Sequence, residues 1–162
     1  MNTMPFEPIF APESTILILG TWPSPKSRET GFYYGHAQNR FWPMLAALYQ
    51  CETPKTPEAK AALILQNKLA LWDVLQACDI KGAADASIKN PVYSDIAALC
   101  EKTSVRRILC NGAAAAKLFA AYCKRTGFAM QALQMPSTSP ANAACSMQNL
   151  QKAWGAALQT SV

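Results

Sequence analysis

Apolar and polar positions divide the chain into short buried runs and longer amphipathic stretches. Thr15-Ile16-Leu17-Ile18-Leu19 is continuous in apolarity and ends at Gly20, the pattern of a strand buried on both faces. Val105–Cys110 repeats it, closes on Asn111-Gly112 and opens into the helix-prone stretch Ala113–Lys124, so strand, tight turn and helix are expected in succession. Phe128–Leu133 is a third expected strand, stopped by the Pro- and Ser-rich segment 135–140, and Leu71–Leu75 a fourth. Phe41, Met44, Leu45 and Leu48 form a helical stripe, and so do Met147, Leu150, Trp154, Ala157 and Leu158. Further helices are expected at Glu58–Lys68 and at Ser94–Glu101, the latter with Ser94 as N-cap. Strands interleaved with helices predict an α/β fold whose parallel sheet is covered on both sides. In that architecture ligands collect at the carboxyl ends of the strands, here the loops at 20–40, 73–90, 111–113 and 135–142. Lys55–Pro57 and Gly82–Asn90 read as a turn region and a loop, with no internal repeat or linker.

Composition narrows the class. A chain of 162 residues that is 51% hydrophobic and 15% charged suits one packed domain rather than a disordered segment. The formal net charge of +5 fits a polyanionic partner, though many basic proteins have none. Six dispersed cysteines, with no CxxC, argue against a metal cluster and against any metal or other cofactor. The N-terminal stretch lacks the pattern of a secretory signal, and no stretch is long and apolar enough to span a membrane, so a cytoplasmic protein is expected.

Chemistry concentrates between Gly31 and Trp42, where five aromatics, the only histidine, an Asn and an Arg share twelve residues. Consecutive aromatics could wall a flat heterocycle or simply pack in the core. Asn39 precedes the helical stripe and suits an N-cap; its carboxamide could also orient a water or a leaving base. His36 is open to either a structural or a binding role. No Gly-x-Gly-x-x-Gly or Walker-type loop follows any expected strand, which disfavours a nucleotide-binding protein.

Four segments together resemble the hypoxanthine-DNA glycosylase branch of the uracil-DNA glycosylase superfamily, over roughly residues 15 to 158. They are Leu19-Gly20-Thr21-Trp22-Pro23-Ser24, the block from Phe32 to Pro43, Leu71-Trp72-Asp73-Val74, and Met135-Pro136-Ser137-Thr138-Ser139-Pro140-Ala141-Asn142. The resemblance implies a three-layer αβα fold with a four-stranded parallel sheet over residues 1–162, with Asn39 as the catalytic amide. Its first motif lacks the catalytic Asp or Asn of many relatives, with Thr21 and Trp22 in that loop, and its second motif lacks a histidine. Gly20, Thr21, Trp22, Pro23, Phe32, Tyr33, Tyr34, His36 and Asn111 are then expected around the base, and Ser24, Ser27, Arg40, Ser137, Thr138 and Ser139 against DNA. Asp73 and Asp85 are the carboxylates nearest these loops, and either could assist a water or steady a cationic sugar. The expected partner is double-stranded DNA with a deaminated base, hypoxanthine foremost, met by a monomer without a membrane. Excision of uracil or mismatched thymine on the same scaffold, or recognition of distorted DNA without catalysis, are the alternatives.

Overall fold

The computed structural model describes residues 1–82 and 84–159; residue 83, in the expected Gly82–Asn90 loop, and residues 160–162 of the expected domain lie outside the described residues. In chain order the elements are β1 (Asn2–Thr3), β2 (Ile16–Gly20), α1 (Pro25–Thr30), α2 (Phe41–Leu48), α3 (Pro57–Gln66), β3 (Leu69–Asp73), β4 (Leu75–Asp79), β5 (Lys89–Tyr93), α4 (Ile96–Glu101), β6 (Arg107–Asn111), α5 (Ala113–Thr126), β7 (Ala132–Met135) and α6 (Met147–Gln159). A parallel sheet runs β3-β2-β6-β7, the four-stranded parallel sheet that the resemblance implies.

The central strand explains the three layers. All five residues of β2 are buried. Ile16 and Ile18 pack on one face with Phe41, Met44 and Leu45 of α2, Ile64 of α3 and Trp154 of α6. Leu17 and Leu19 pack on the other with Ile96 and Leu99 of α4 and Ala115, Phe119 and Tyr122 of α5. Alternation along a strand sends successive side chains to opposite faces, so a strand sandwiched between helix layers must be apolar throughout.

Several expectations are corrected. Leu71–Leu75 is not one strand: β3 ends at Asp73, and after Val74 the chain enters β4 of a second, antiparallel sheet ordered β1-β4-β5. That sheet also takes up Lys89 and Asn90, expected as loop; its register shifts and mixed burial leave no clean two-residue alternation to read. The strand expected at Phe128–Leu133 lies at Ala132–Met135, because Phe128 turns into the second core against Phe119 and Tyr122. At α4 the cap is Asp95, whose carboxylate accepts from the Ala98 N–H at 3.2 Å, whereas Ser94 is buried and donates its hydroxyl to the Asp73 carbonyl at 2.8 Å. At the start of α2 the cap position is Arg40; Asn39 instead accepts from the Phe41 N–H at 2.9 Å. α3 begins one residue earlier than expected, under a Thr56 cap.

Trp154 is wholly buried in the first core, and its indole N–H donates to the Pro136 carbonyl at 3.0 Å, which anchors the loop after β7. Trp154→Ala should cost about 3–5 kcal/mol, as deletions of large buried aromatics do. Urea unfolding would measure this, and a loss under 1 kcal/mol would contradict the packing described.

Candidate functional site

The parallel strands end in one row: Asp73 on β3, Gly20 on β2, Asn111 on β6, and the 137–139 loop after β7. A cleft of about 150 Å³ opens above this row, lined by Gly20, Thr21, Trp22, Pro23, Ser24, Ser27, Tyr33, Tyr34, Asn39, Asp73, Ile80, Asp85, Asn111, Ser137, Thr138 and Ser139. The glycine after β6, Gly112, has φ +96°, and a Cβ there would meet Ser137 Cβ at 3.2 Å; only glycine lets the 137–139 loop lie this close to the strand ends.

A directed chain of hydrogen bonds crosses the cleft. Thr138 and Asn111 exchange two bonds: the Thr138 N–H donates to Asn111 Oδ1, and Asn111 Nδ2 donates to Thr138 Oγ1, both at 3.0 Å. Thr138 Oγ1 then donates to Asn39 Oδ1 at 3.0 Å, which also accepts the Phe41 N–H. A backbone N–H can only donate, so it is the oxygen of the Asn39 amide that faces Phe41 and Thr138. The amide nitrogen, with two hydrogens, takes the opposite direction.

Thr138, expected against DNA, is fully buried and serves as the middle of this chain. Arg40, also expected at DNA, spends its guanidinium on the carbonyls of Cys145, Asn142 and Ser139, and so ties the 137–145 loop to the start of α2. Ser24 and Ser27 bond to each other and to the loop, Ser27 accepting the Gly35 N–H at 2.9 Å. The hydroxyls of Ser137 and Ser139 accept the N–H groups of Ser139 and Ala141. These serines line the cleft, but they also hold its walls in shape.

The aromatic block divides. Tyr33 is buried and donates its hydroxyl to the Glu7 carbonyl at 2.8 Å, and Phe32 packs on Tyr33 and Trp42 outside the cleft lining. His36 is also outside the lining; its Nδ1 accepts the Gln38 N–H at 3.0 Å. Tyr33 still lines the cleft, as do Trp22, with the Arg28 guanidinium 5.4 Å from its ring, and Tyr34. Tyr34 stands at φ +54°, in the left-handed region that a bulky residue rarely occupies. Its ring lies 4.3 Å from that of Phe41.

Among the lining residues the only charged ones are carboxylates, Asp73 and Asp85. Burial pushes the Asp73 carboxyl up to about 7, and the nearby Asp85 adds to the rise. Burial also raises Asp85. The phenols of Tyr33 and Tyr34 are held well above their ordinary range by burial and then by Asp73, so both stay protonated. Asp73 counts among the functional candidates more strongly than the sequence suggested. The available signal was its position as the polar residue that ends an apolar strand on the ligand-binding edge. Among the described residues no cluster of His, Cys, Asp and Glu could hold a metal ion, and no helix is long and apolar enough to cross a membrane.

A carboxyl that titrates higher when folded than unfolded binds more protons in the folded state, so its favourable contribution is complete below the ordinary carboxylate range and is lost as pH rises through about 7. Asp73→Asn should therefore raise the melting temperature by several degrees at pH 8 and change it little at pH 4. Melting curves across that range would check this, and a lower melting temperature at pH 8 would contradict the burial of the charge.

Comparison with known proteins identifies the family. A family profile described as the uracil DNA glycosylase superfamily matches residues 7–158. A hypoxanthine DNA glycosylase of Methanosarcina acetivorans is 29% identical over 152 residues, covering 93% of this chain and 94% of its own. One of Methanosarcina barkeri is 29% identical over 114 residues, covering 69% and 72%. A solution NMR structure from Methanosarcina acetivorans, described as a candidate uracil DNA glycosylase, superposes with a TM-score of 0.81 at 27% identity over 98% of each chain. The chain belongs to the uracil DNA glycosylase superfamily, whose members include DNA glycosylases that hydrolyse N-glycosidic bonds.

Proposed function

We propose that this chain is a single-domain DNA glycosylase that takes a deaminated base, hypoxanthine foremost, out of duplex DNA into the cleft and hydrolyses its bond to deoxyribose. The observation that carries the reading is the Asn39 amide, pinned through its oxygen by Phe41 and Thr138 so that its N–H donors are left for a ligand. Cleavage passes through a cationic sugar and an anionic leaving base, so a fixed donor aimed at the base is stronger in the transition state than in the ground state. Both hypoxanthine and uracil carry a carbonyl able to accept it. The relatives named hypoxanthine DNA glycosylases favour the purine.

The charge of the cleft supports the same chemistry. A site lined by two carboxylates and no Lys or Arg is poorly suited to hold phosphate, which disfavours a nucleotide-binding role, and well suited to a neutral base and a developing positive sugar. Trp22 and Tyr34 offer faces for a flat ring, and such stacking contributes roughly 1–3 kcal/mol per base. Flipping a base that pairs weakly costs less than flipping a normal one, which is itself a source of selectivity.

The test is base release from duplexes carrying a single hypoxanthine, a single uracil or only normal bases, with abasic sites opened by alkali. Release at hypoxanthine is expected, and Asn39→Ala should slow it about 10²–10³-fold, the typical cost of one oriented donor. Release at uracil alone would move the substrate within the family. Tight damage-dependent binding without release from any duplex would contradict the enzymatic reading. Thr138→Val removes the hydroxyl that orients Asn39 while keeping its shape, and should lower single-turnover rate about tenfold with little change in affinity for damaged DNA; an unchanged rate would show that the relay does not position the amide.

A further inference from the structure

On the same edge of the sheet, away from Asn39, two oxygens converge over a residue that has no side chain. A Cβ placed on Gly20 would fall 2.4 Å from Asp73 Oδ1 and 2.7 Å from Tyr34 Oη. The Tyr34 hydroxyl is buried without a hydrogen bond of full geometry in the protein; the Asn111 side chain lies close enough to favour its ionised form. Buried hydroxyls rarely go unpaired, because the lost water contacts are not recovered. Tyr34 also bears the cost of a left-handed backbone, which in folded proteins gathers at binding and catalytic positions. Gly20, Tyr34 and Asp73 all line the cleft. They leave no room for a methyl group, so the two oxygens converge on the bare face of Gly20.

We propose that Asp73 and Tyr34 hold the attacking water over Gly20, with the Asp73 carboxylate as its general base and the Tyr34 hydroxyl accepting its second hydrogen. The inference rests on the glycosylase reading above. As the water oxygen bonds to the sugar C1′, the bond from C1′ to the base nitrogen breaks and its electron pair leaves with the base. One water proton passes to Asp73, and solvent or the departing base later takes it. With both water hydrogens engaged, a lone pair remains for the attack. The carboxylate additionally steadies the positive sugar on the face opposite the leaving base.

Charged and titratable groups facing Asp73 are Asp85, Tyr33 and Tyr34. Both phenols stay protonated, and Asp85 pushes Asp73 in the same direction as burial, so the working carboxylate forms as pH rises through the neutral range.

Single-turnover release of hypoxanthine should be measured between pH 5 and 9 for wild type, Tyr34→Phe and Asp73→Asn, with affinity for the same duplex and melting temperature measured alongside. Wild type is expected to accelerate with pH to a plateau with a midpoint near 7. Asp73→Asn should be at least about 100-fold slower and lose that rise. Tyr34→Phe keeps the ring and removes only an unpaired buried hydroxyl, so it should melt no lower than wild type, bind equally well and react about tenfold more slowly. Either variant reacting within twofold of an active wild type would overturn the inference and leave the glycosylase reading intact. A wild type that releases no base from any duplex would overturn both.

Discussion

Asn111 and Thr138 exchange two hydrogen bonds across 27 residues of sequence, and the arrangement of the cleft follows from that exchange. It closes the end of β6 onto the loop after β7, and Gly112 permits the approach by presenting no side chain to Ser137. It also spends the polar groups of Thr138 in one direction, so that its hydroxyl hydrogen can go only to Asn39. Around it, Arg40 on three loop carbonyls and Trp154 on the Pro136 carbonyl hold the same loop from the helix side. A site supported in this way is preorganised: little reorganisation is needed when charge develops on the substrate.

The electrostatics of the cleft are unusual for a protein of net charge +5. The basic residues do not line it; its charged groups are two carboxylates, the buried Asp73 and the more exposed Asp85, whose ionisation is opposed by desolvation. Such a site destabilises the fold at high pH and is retained at that cost, as functional carboxylates often are. The positive charge of the rest of the molecule can attract a polyanion at long range, while the cleft itself favours a neutral ring and a cationic sugar.

Much of the fold could be read from periodicity. The continuous apolar runs of β2 and β6 admit no environment but a strand buried on both faces, and the stripes of α2 and α6 identify their inward faces directly. The second sheet was not legible, because β4 follows β3 after a single residue and β5 is short and mostly exposed. The site was legible as segments and not as roles. Asn39 and the 137–139 loop were marked by composition, yet nothing local shows that Thr138 points inward to Asn39 or that Arg40 is spent on carbonyls ninety-nine and more residues away. Phe32, Tyr33 and Tyr34 looked alike in sequence. In the structure Tyr33 and Tyr34 both line the cleft, Tyr34 from a left-handed turn, while Phe32 packs beside the core outside it.

The central claim is that a base leaves the duplex and meets the nitrogen of Asn39. The most direct test is the structure of the protein bound to a duplex carrying a 2′-fluorinated deoxyinosine, whose glycosidic bond resists hydrolysis. The account predicts an extrahelical hypoxanthine in the cleft with its carbonyl oxygen about 3 Å from Asn39 Nδ2, a normal hydrogen-bond length. A base still stacked in the duplex, or flipped with Asn39 out of reach, would contradict it.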